Sequence, residues 1–157
     1  MSTRSPTTDS RPAHDLTFGA LMTTIHIESL VHVPLPTAWQ IYNTPEHITQ
    51  WNAASPDWHT PSASNDLRVG GRYHARMEAR DGSMGFDLTA TYLAVDDDHS
   101  FTYEMEDGRR VTAAFEERGP DTLVSIDFDA EAENSVEDQR AGWQAILDSY
   151  TRYAEGL

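Results

Sequence analysis

The sequence predicts an α+β domain: a curved antiparallel sheet of about six strands, two short helices after the first strand, and one long C-terminal helix laid against the sheet. Three observations predict it. From Gly70 to Asp129, short runs alternate apolar and polar residues and are separated by turn signals, with no helical pattern among them. From Val136 to Tyr153 the period changes: Trp143, Ile146, Leu147, Tyr150 and Tyr153 or Ala154 recur at steps of three and four and form one apolar stripe. Between the first strand and the meander, two segments beside prolines read as short helices. A lone amphipathic helix arriving after an antiparallel meander has the sheet face as its burial partner, and the space between them is a natural place for a ligand.

Thr23 to Val33 alternates Ile25, Ile27 and then Leu30 or Val31, a strand with room for a bulge, and Pro34-Leu35-Pro36 stops it because proline cannot donate to a ladder. Thr37 to Tyr42 is the first short helix, with Ala38, Trp39 and Ile41 available for packing. Pro45 starts the second, with Thr44 as its expected cap, and it runs through Trp51. Asn52 to Leu67 is polar, carries Pro56 and Pro61, and reads as a long loop holding Trp58 and His59. Gly70-Gly71 turns into a strand where Tyr73, Ala75, Met77 and Ala79 alternate with charged residues. Asp81-Gly82 signals a hairpin, Phe86 to Val95 is the next strand, and Asp96 to Asp98 is an acidic turn. Phe101, Tyr103 and Met105, then Val111, Ala113 and Phe115, then Val124, Ile126 and Phe128 line three further strands, separated at Asp107-Gly108 and Gly119-Pro120-Asp121. Ser135 can cap the last helix, with Asp138 three residues on. Gly142, in mid-helix, would cost about 1 kcal/mol against alanine, which suggests close packing there.

The 157 residues suit one domain over 23–157, preceded by a Ser-, Thr-, Pro- and Asp-rich stretch, 1–22, that reads as a flexible tail. The tail lacks the apolar core of a signal peptide and no stretch is long enough to span a membrane, so the cytoplasm is the expected location. Zero cysteines exclude disulfides, thiolate metal sites and cysteine nucleophiles. Twenty-six acids face eleven basic residues, all of them arginine, for a formal charge of −15. Such a surface repels nucleic acid and anionic membrane, so neither is expected as a partner. Adaptation to high salt and a coding bias toward arginine both explain the composition and stand side by side.

Several segments taken in order resemble a known family. They are strand one into Pro34-Leu35-Pro36-Thr37-Ala38-Trp39, then Thr44-Pro45-Glu46-His47-Ile48-Thr49-Gln50-Trp51 and Asp66-Leu67-Arg68-Val69-Gly70-Gly71-Arg72-Tyr73. Met77-Glu78-Ala79-Arg80-Asp81-Gly82-Ser83 and Gly142-Trp143-Gln144-Ala145-Ile146-Leu147 complete the set. The arrangement resembles the helix-grip fold of the START and birch-pollen-allergen (SRPBCC) superfamily, in the branch related to the C-terminal domain of the activator of heat-shock protein 90 ATPase. The resemblance spans Thr23 to the end. It implies a small-molecule holder; different members bind lipids or hormones, cyclise polyketides or protect against reactive compounds. The chaperone-activating members have a second, N-terminal domain that this sequence is not expected to carry.

Candidate site residues follow from the elements. His59, beside Asp57 and Trp58, could act as an acid/base or hydrogen-bonding group, or be an anchored loop histidine. Trp51, Trp58, Trp143 and Tyr150 could build the aromatic wall of a pocket, with Trp51 and Trp143 equally readable as core. Met77, Tyr103, Phe115 and Ile126 lie on the alternation expected to face the last helix. If Thr91, Leu93 and Val95 face inward, so does Asp87, a carboxylate whose pKa burial would raise; if Phe86, Leu88 and Tyr92 do, Asp87 is surface, the favoured case. The acidic run Asp127, Asp129, Glu131 and Glu133 fits no calcium loop, and the seven histidines show no zinc spacing, so no metal and no cofactor is expected. There is no nucleophile elbow, phosphate loop or dinucleotide fingerprint.

Three functions compete. The first is a module enclosing a hydrophobic or aromatic small molecule, favoured because an aromatic lining comes without a recognised catalytic set. The second is a cavity enzyme of polyketide cyclase, dehydratase or hydrolase type using His59 with a buried carboxylate. The third is an interaction module by analogy with chaperone co-factors. Aromatics exposed on a small domain leave a homodimer open.

Overall fold

The computed structural model describes residues 23–157; the tail expected over 1–22 lies outside the described residues. Seven strands and three helices follow in the order β1 (Thr24–Val31), α1 (Leu35–Asn43), α2 (Pro45–Trp51), β2 (Trp58–Asn65), β3 (Arg72–Ala79), β4 (Gly85–Asp96), β5 (Ser100–Met105), β6 (Arg110–Arg118), β7 (Asp121–Asp129) and α3 (Val136–Glu155). All strand pairs are antiparallel, in the order β1-β7-β6-β5-β4-β3-β2. The strands β2 to β7 form a continuous meander, and β1 closes beside β7. Its connection to β2, carrying α1 and α2, is therefore the one non-local link and runs from one edge of the sheet to the other. The α+β helix-grip architecture expected from the sequence is the architecture found.

The seventh strand corrects the expected long loop. Trp58–Asn65 is polar and contains Pro61, so it has no period-2 signal of its own. It is held from outside, by pairing Trp58 with Ala79 and Asn65 with Tyr73, with a register shift between His59 and Ser62 that absorbs the proline. The Thr60 hydroxyl also donates to the Asn52 carbonyl at 2.6 Å, tying the strand to the end of α2. The first strand needs no bulge: β1 pairs with β7 in continuous register, Ile25, Ile27 and Val31 are buried, and Leu30 faces out.

Proline at the first turn sets the start of both short helices. Thr44 occupies the N-cap position of α2 but its hydroxyl makes no cap hydrogen bond, a second correction. In α3 the cap forms, with the Ser135 hydroxyl accepting from the Asp138 N–H at 3.0 Å. Gly142 is a third correction: among the described residues, a Cβ added there would meet nothing within 4 Å, so no close packing with them explains it.

The core lies between the concave sheet face and the helices. Phe128, Ile25, Val124, Leu147 and Tyr150 are almost fully buried, and each such apolar side chain contributes roughly 1.5–3 kcal/mol. Four polar contacts orient α3: Tyr150 Oη donates to the Ala38 carbonyl (2.7 Å), Ser149 Oγ to the Trp51 carbonyl (2.7 Å), Thr151 Oγ1 meets Ser29 Oγ (2.8 Å), and Tyr153 Oη meets His47 Nδ1 (2.7 Å). The helix is thereby pinned to both short helices and to β1 while its Trp143 end stays over the sheet.

Candidate ligand cavity

Alternation on the strands aims one set of side chains at the underside of α3. From β3 these are Tyr73 and Met77; from β4, Phe86, Leu88 and Tyr92; from β5, Phe101, Tyr103 and Met105; from β7, Ile126. The ends of the short helices add Tyr42, Asn43, Trp51 and Asn52, and α3 adds Trp143, Ile146 and Leu147. Together with Arg109, from the β5–β6 turn, they enclose a cavity of about 250 Å³. The cavity persists because its walls are rigid aromatics already committed to one another. Tyr73 stacks on Tyr103 with centroids 5.5 Å apart, Tyr42 contacts Trp51 at 4.9 Å, and Trp143 stacks on Phe128 at 4.0 Å.

Phe86 lines the cavity and is also 48% exposed, which places the opening on the side of the β3–β4 hairpin. A second hollow of about 240 Å³ shares Phe86, Leu88, Met105 and Arg109 with the first and is rimmed by Asp87, Glu106 and Asp107, so those four shared side chains are the partition between the two.

The candidates chosen from sequence divide. Trp51, Met77, Tyr103, Ile126 and Trp143 line the cavity. Trp58 stands outside the lining, 6.1 Å from Phe86 and beside the opening. Phe115 and Tyr150 lie behind the wall: Phe115 packs edge-on against Trp39 and Tyr42, and Tyr150 is fully buried against Ala38. His59 is on the opposite face, opposite Glu78 in the ladder, with Nε2 3.6 Å from its carboxylate. Asp87 is also on that face, since Ala90 and Tyr92 are the buried residues of β4. Its carboxylate meets His74 Nε2 at 2.9 Å and accepts from Arg76 at 3.1 Å, and these partners, His74 first, hold its pKa below the ordinary aspartate value. Burial and a raised pKa, the conditions for Asp87 to act as a cavity acid, are therefore not met.

Sequence reasoning passed over Tyr42, Asn43, Asn52, Tyr73 and Arg109. Tyr73 shares its alternation with Met77, so a signal existed. The rotation of a two-turn helix and the aim of a turn arginine leave no periodic trace.

Chemically the cavity is apolar with a few polar groups. Among the described residues, no histidine or carboxylate lines it, and no group of three or more His, Asp or Glu side chains converges on a metal position. Arg109 is its one charged lining residue, and its Nε donates to Asp107 Oδ2 at 2.8 Å. Burial pushes the Asp107 carboxyl up, but hydrogen bonds from the Arg109 backbone and side chain outweigh it and leave the pKa low. The phenols of Tyr42, Tyr73 and Tyr103 are all pushed well above the ordinary tyrosine value by burial, so they are O–H donors at any physiological pH.

Residues 32–155 match the family model described as Activator of Hsp90 ATPase homolog 1-like protein. The chain belongs to that family. Among similar solved structures, the AHSA1-like protein from Aeromonas hydrophila is 42% identical with a TM-score of 0.80, the match covering 85% of this chain and 93% of that one. Chr148 from Cytophaga hutchinsonii is 41% identical with a TM-score of 0.74, covering 85% and 92%. CalU16 from Micromonospora echinospora, 18% identical with a TM-score of 0.63 over 85% and 76%, shares the fold alone. No protein of curated function matches. Of the segments that carried the resemblance to the Activator of Hsp90 ATPase homolog 1-like family, those from Pro34 to Leu147 fall inside the matched residues, while most of strand one precedes them. Among the described residues, no helix is long and apolar enough to cross a membrane.

Proposed function

We propose that this family member is a binding protein that holds a hydrophobic or aromatic small molecule between α3 and the sheet, in the cytoplasm. The observation that carries the reading is the cavity itself, about 250 Å³, walled mainly by aromatic and aliphatic side chains and filled by none of the described residues. Pockets for small molecules have this make-up, an apolar lining with a few placed polar groups. A cyclase or hydrolase built on His59 and Asp87 has no comparable support, because both side chains lie on the far face of the sheet.

A ligand that binds only the folded chain stabilises it in proportion to ln(1 + [L]/Kd), about 2.7 kcal/mol at one hundred times Kd. A thermal-shift screen of bicyclic aromatic compounds should therefore raise the Tm with some members of the set. The variant Leu88→Trp, which fills the cavity from β4, should erase the rise. No rise with any compound, or a rise that Leu88→Trp leaves unchanged, would overturn the reading.

A further inference from the structure

Among the described residues, the hydroxyls of Tyr42, Tyr73 and Tyr103 have no hydrogen-bond partner, whereas those of the buried Tyr92 and Tyr150 are paired: Tyr92 Oη donates to Asn65 Oδ1 at 2.6 Å and Tyr150 Oη to the Ala38 carbonyl at 2.7 Å. The side-chain amide of Asn52, 9% exposed, is likewise unpartnered, although its carbonyl on the main chain accepts from Thr60. All four groups belong to residues that line the cavity. Two of the phenols adjoin, since the rings of Tyr73 and Tyr103 stack with centroids 5.5 Å apart. Tyr103 and Asn52 are almost fully buried and Tyr42 and Tyr73 partly so; leaving a buried donor unsatisfied costs about 1–3 kcal/mol, so such donors around one hollow call for an acceptor inside it.

We propose that the ligand is an uncharged aromatic molecule carrying a carbonyl oxygen, which the hydroxyls of Tyr42, Tyr73 and Tyr103 and the amide of Asn52 recognise by hydrogen bonding. The inference rests on the binding function proposed above and specifies its chemistry. A carbonyl oxygen has two lone pairs and no proton, so it can accept from two of the tyrosine hydroxyls at once. An anion fits less well. The Arg109 guanidinium is already engaged by Asp107, and a protein of net charge −15 repels anions on approach. A cation fits less well too, since among the described residues no carboxylate lines the cavity.

The test compares three probes of equal shape on the full chain by equilibrium dialysis: 2-acetylnaphthalene, 2-ethylnaphthalene, in which a methylene replaces the carbonyl, and 2-naphthoate. Tyr42→Phe, Tyr73→Phe and Tyr103→Phe keep each ring and delete only the hydroxyl. At least two of these variants should weaken the ketone by about threefold to tenfold, the range for one hydrogen bond. The hydrocarbon should stay within about twofold, because it never used the hydroxyls. The carbonyl stretch of 13C-labelled ketone bound to the unaltered protein should lie at the lower, hydrogen-bonded frequency, a readout that needs no variant to fold. Equal losses for ketone and hydrocarbon, or an unshifted carbonyl stretch, would overturn the inference and leave the cavity as a plain apolar receptor. Naphthoate binding more tightly than the ketone would overturn the uncharged assignment. If none of the three probes binds, the binding function itself fails and the inference with it.

Discussion

The indole of Trp143 lies flat on the ring of Phe128, centroids 4.0 Å apart and planes 10° from parallel. Phe128 is fully buried on β7, while Trp143 is half-buried on α3 and lines the cavity. One stacked pair thus fastens the helix to the sheet beside the hollow, so a change at Trp143 acts on stability and on cavity shape together.

Trp143→Ala should destabilise the protein by about 3 kcal/mol, at the low end for tryptophan truncation because the side chain is only half-buried. Trp143→Phe, which keeps a stacking partner for Phe128, should cost less than half of that. Urea unfolding at unchanged m-value checks both. A loss below about 1 kcal/mol for the alanine variant would show that the stack does not fasten the helix.

Two buried tyrosines should respond in opposite directions to loss of a hydroxyl. Tyr150 Oη donates to the Ala38 carbonyl at 2.7 Å, so Tyr150→Phe should cost about 1 kcal/mol. Tyr103 is 8% exposed and its hydroxyl is unpartnered among the described residues, so Tyr103→Phe in the ligand-free protein should be neutral or stabilising. Thermal unfolding of the two variants side by side gives the answer. Equal destabilisation would mean that the Tyr103 hydroxyl has a partner of its own.

Two glycines should also separate. A Cβ on Gly71 would run into the Asp66 carbonyl oxygen and carboxylate, at the tight turn that leads into β3, so Gly71→Ala should cost about 1–3 kcal/mol. A Cβ on Gly142 meets nothing, and alanine is the better helix former, so Gly142→Ala should stabilise by about 1 kcal/mol. Chemical denaturation measures both, and a destabilised Gly142→Ala would point to a contact with something other than the described chain.

His26 links β1 to β7, its Nδ1 2.7 Å from Asp127 and its Nε2 2.9 Å from Glu28. These hydrogen bonds, Glu28 first and Asp127 next, raise the imidazole pKa above 6.5. A folded pKa above the unfolded one means that protonation favours the folded state. The stabilisation is therefore fully present below about pH 6.5 and disappears as the pH rises through the folded value. The group is exposed, so the effect should be only a few tenths of a kcal/mol. The stability difference between wild type and His26→Gln should be larger at pH 5.5 than at pH 8.5, and a pH-independent difference would refute the assignment.

Much of the fold was readable because local rules and tertiary structure agree. The hairpin turns at Asp81-Gly82 and Asp107-Gly108 fall where glycine reaches φ of +78° and +92°, and α2 begins at Pro45 and ends at Trp51 as its proline and flanking pattern require. Strand β2 was not readable, since Trp58–Asn65 owes its extension to β3 and α2 and not to its own residues. The cavity divides along the same line. Met77 and Ile126 follow from strand parity. Tyr42 and Asn52 depend on how the short helices are rotated against the sheet, and Arg109 on the aim of a turn. Phe115 and Tyr150 show the converse: residues of the expected type and face can sit one layer behind a wall.

The two borders of the sheet carry a further consequence. At the β1 border, the Glu28 carbonyl accepts from Gln144 and, one residue past the strand, the His32 amide donates to Glu155, both partners on α3. On β2, Pro61 removes a donor and the slip after His59 bends the strand. Neither margin offers a passing chain an uninterrupted row of free amides and carbonyls, so the fold guards itself against growth into fibrils at both of the places where a ribbon of this kind is otherwise vulnerable.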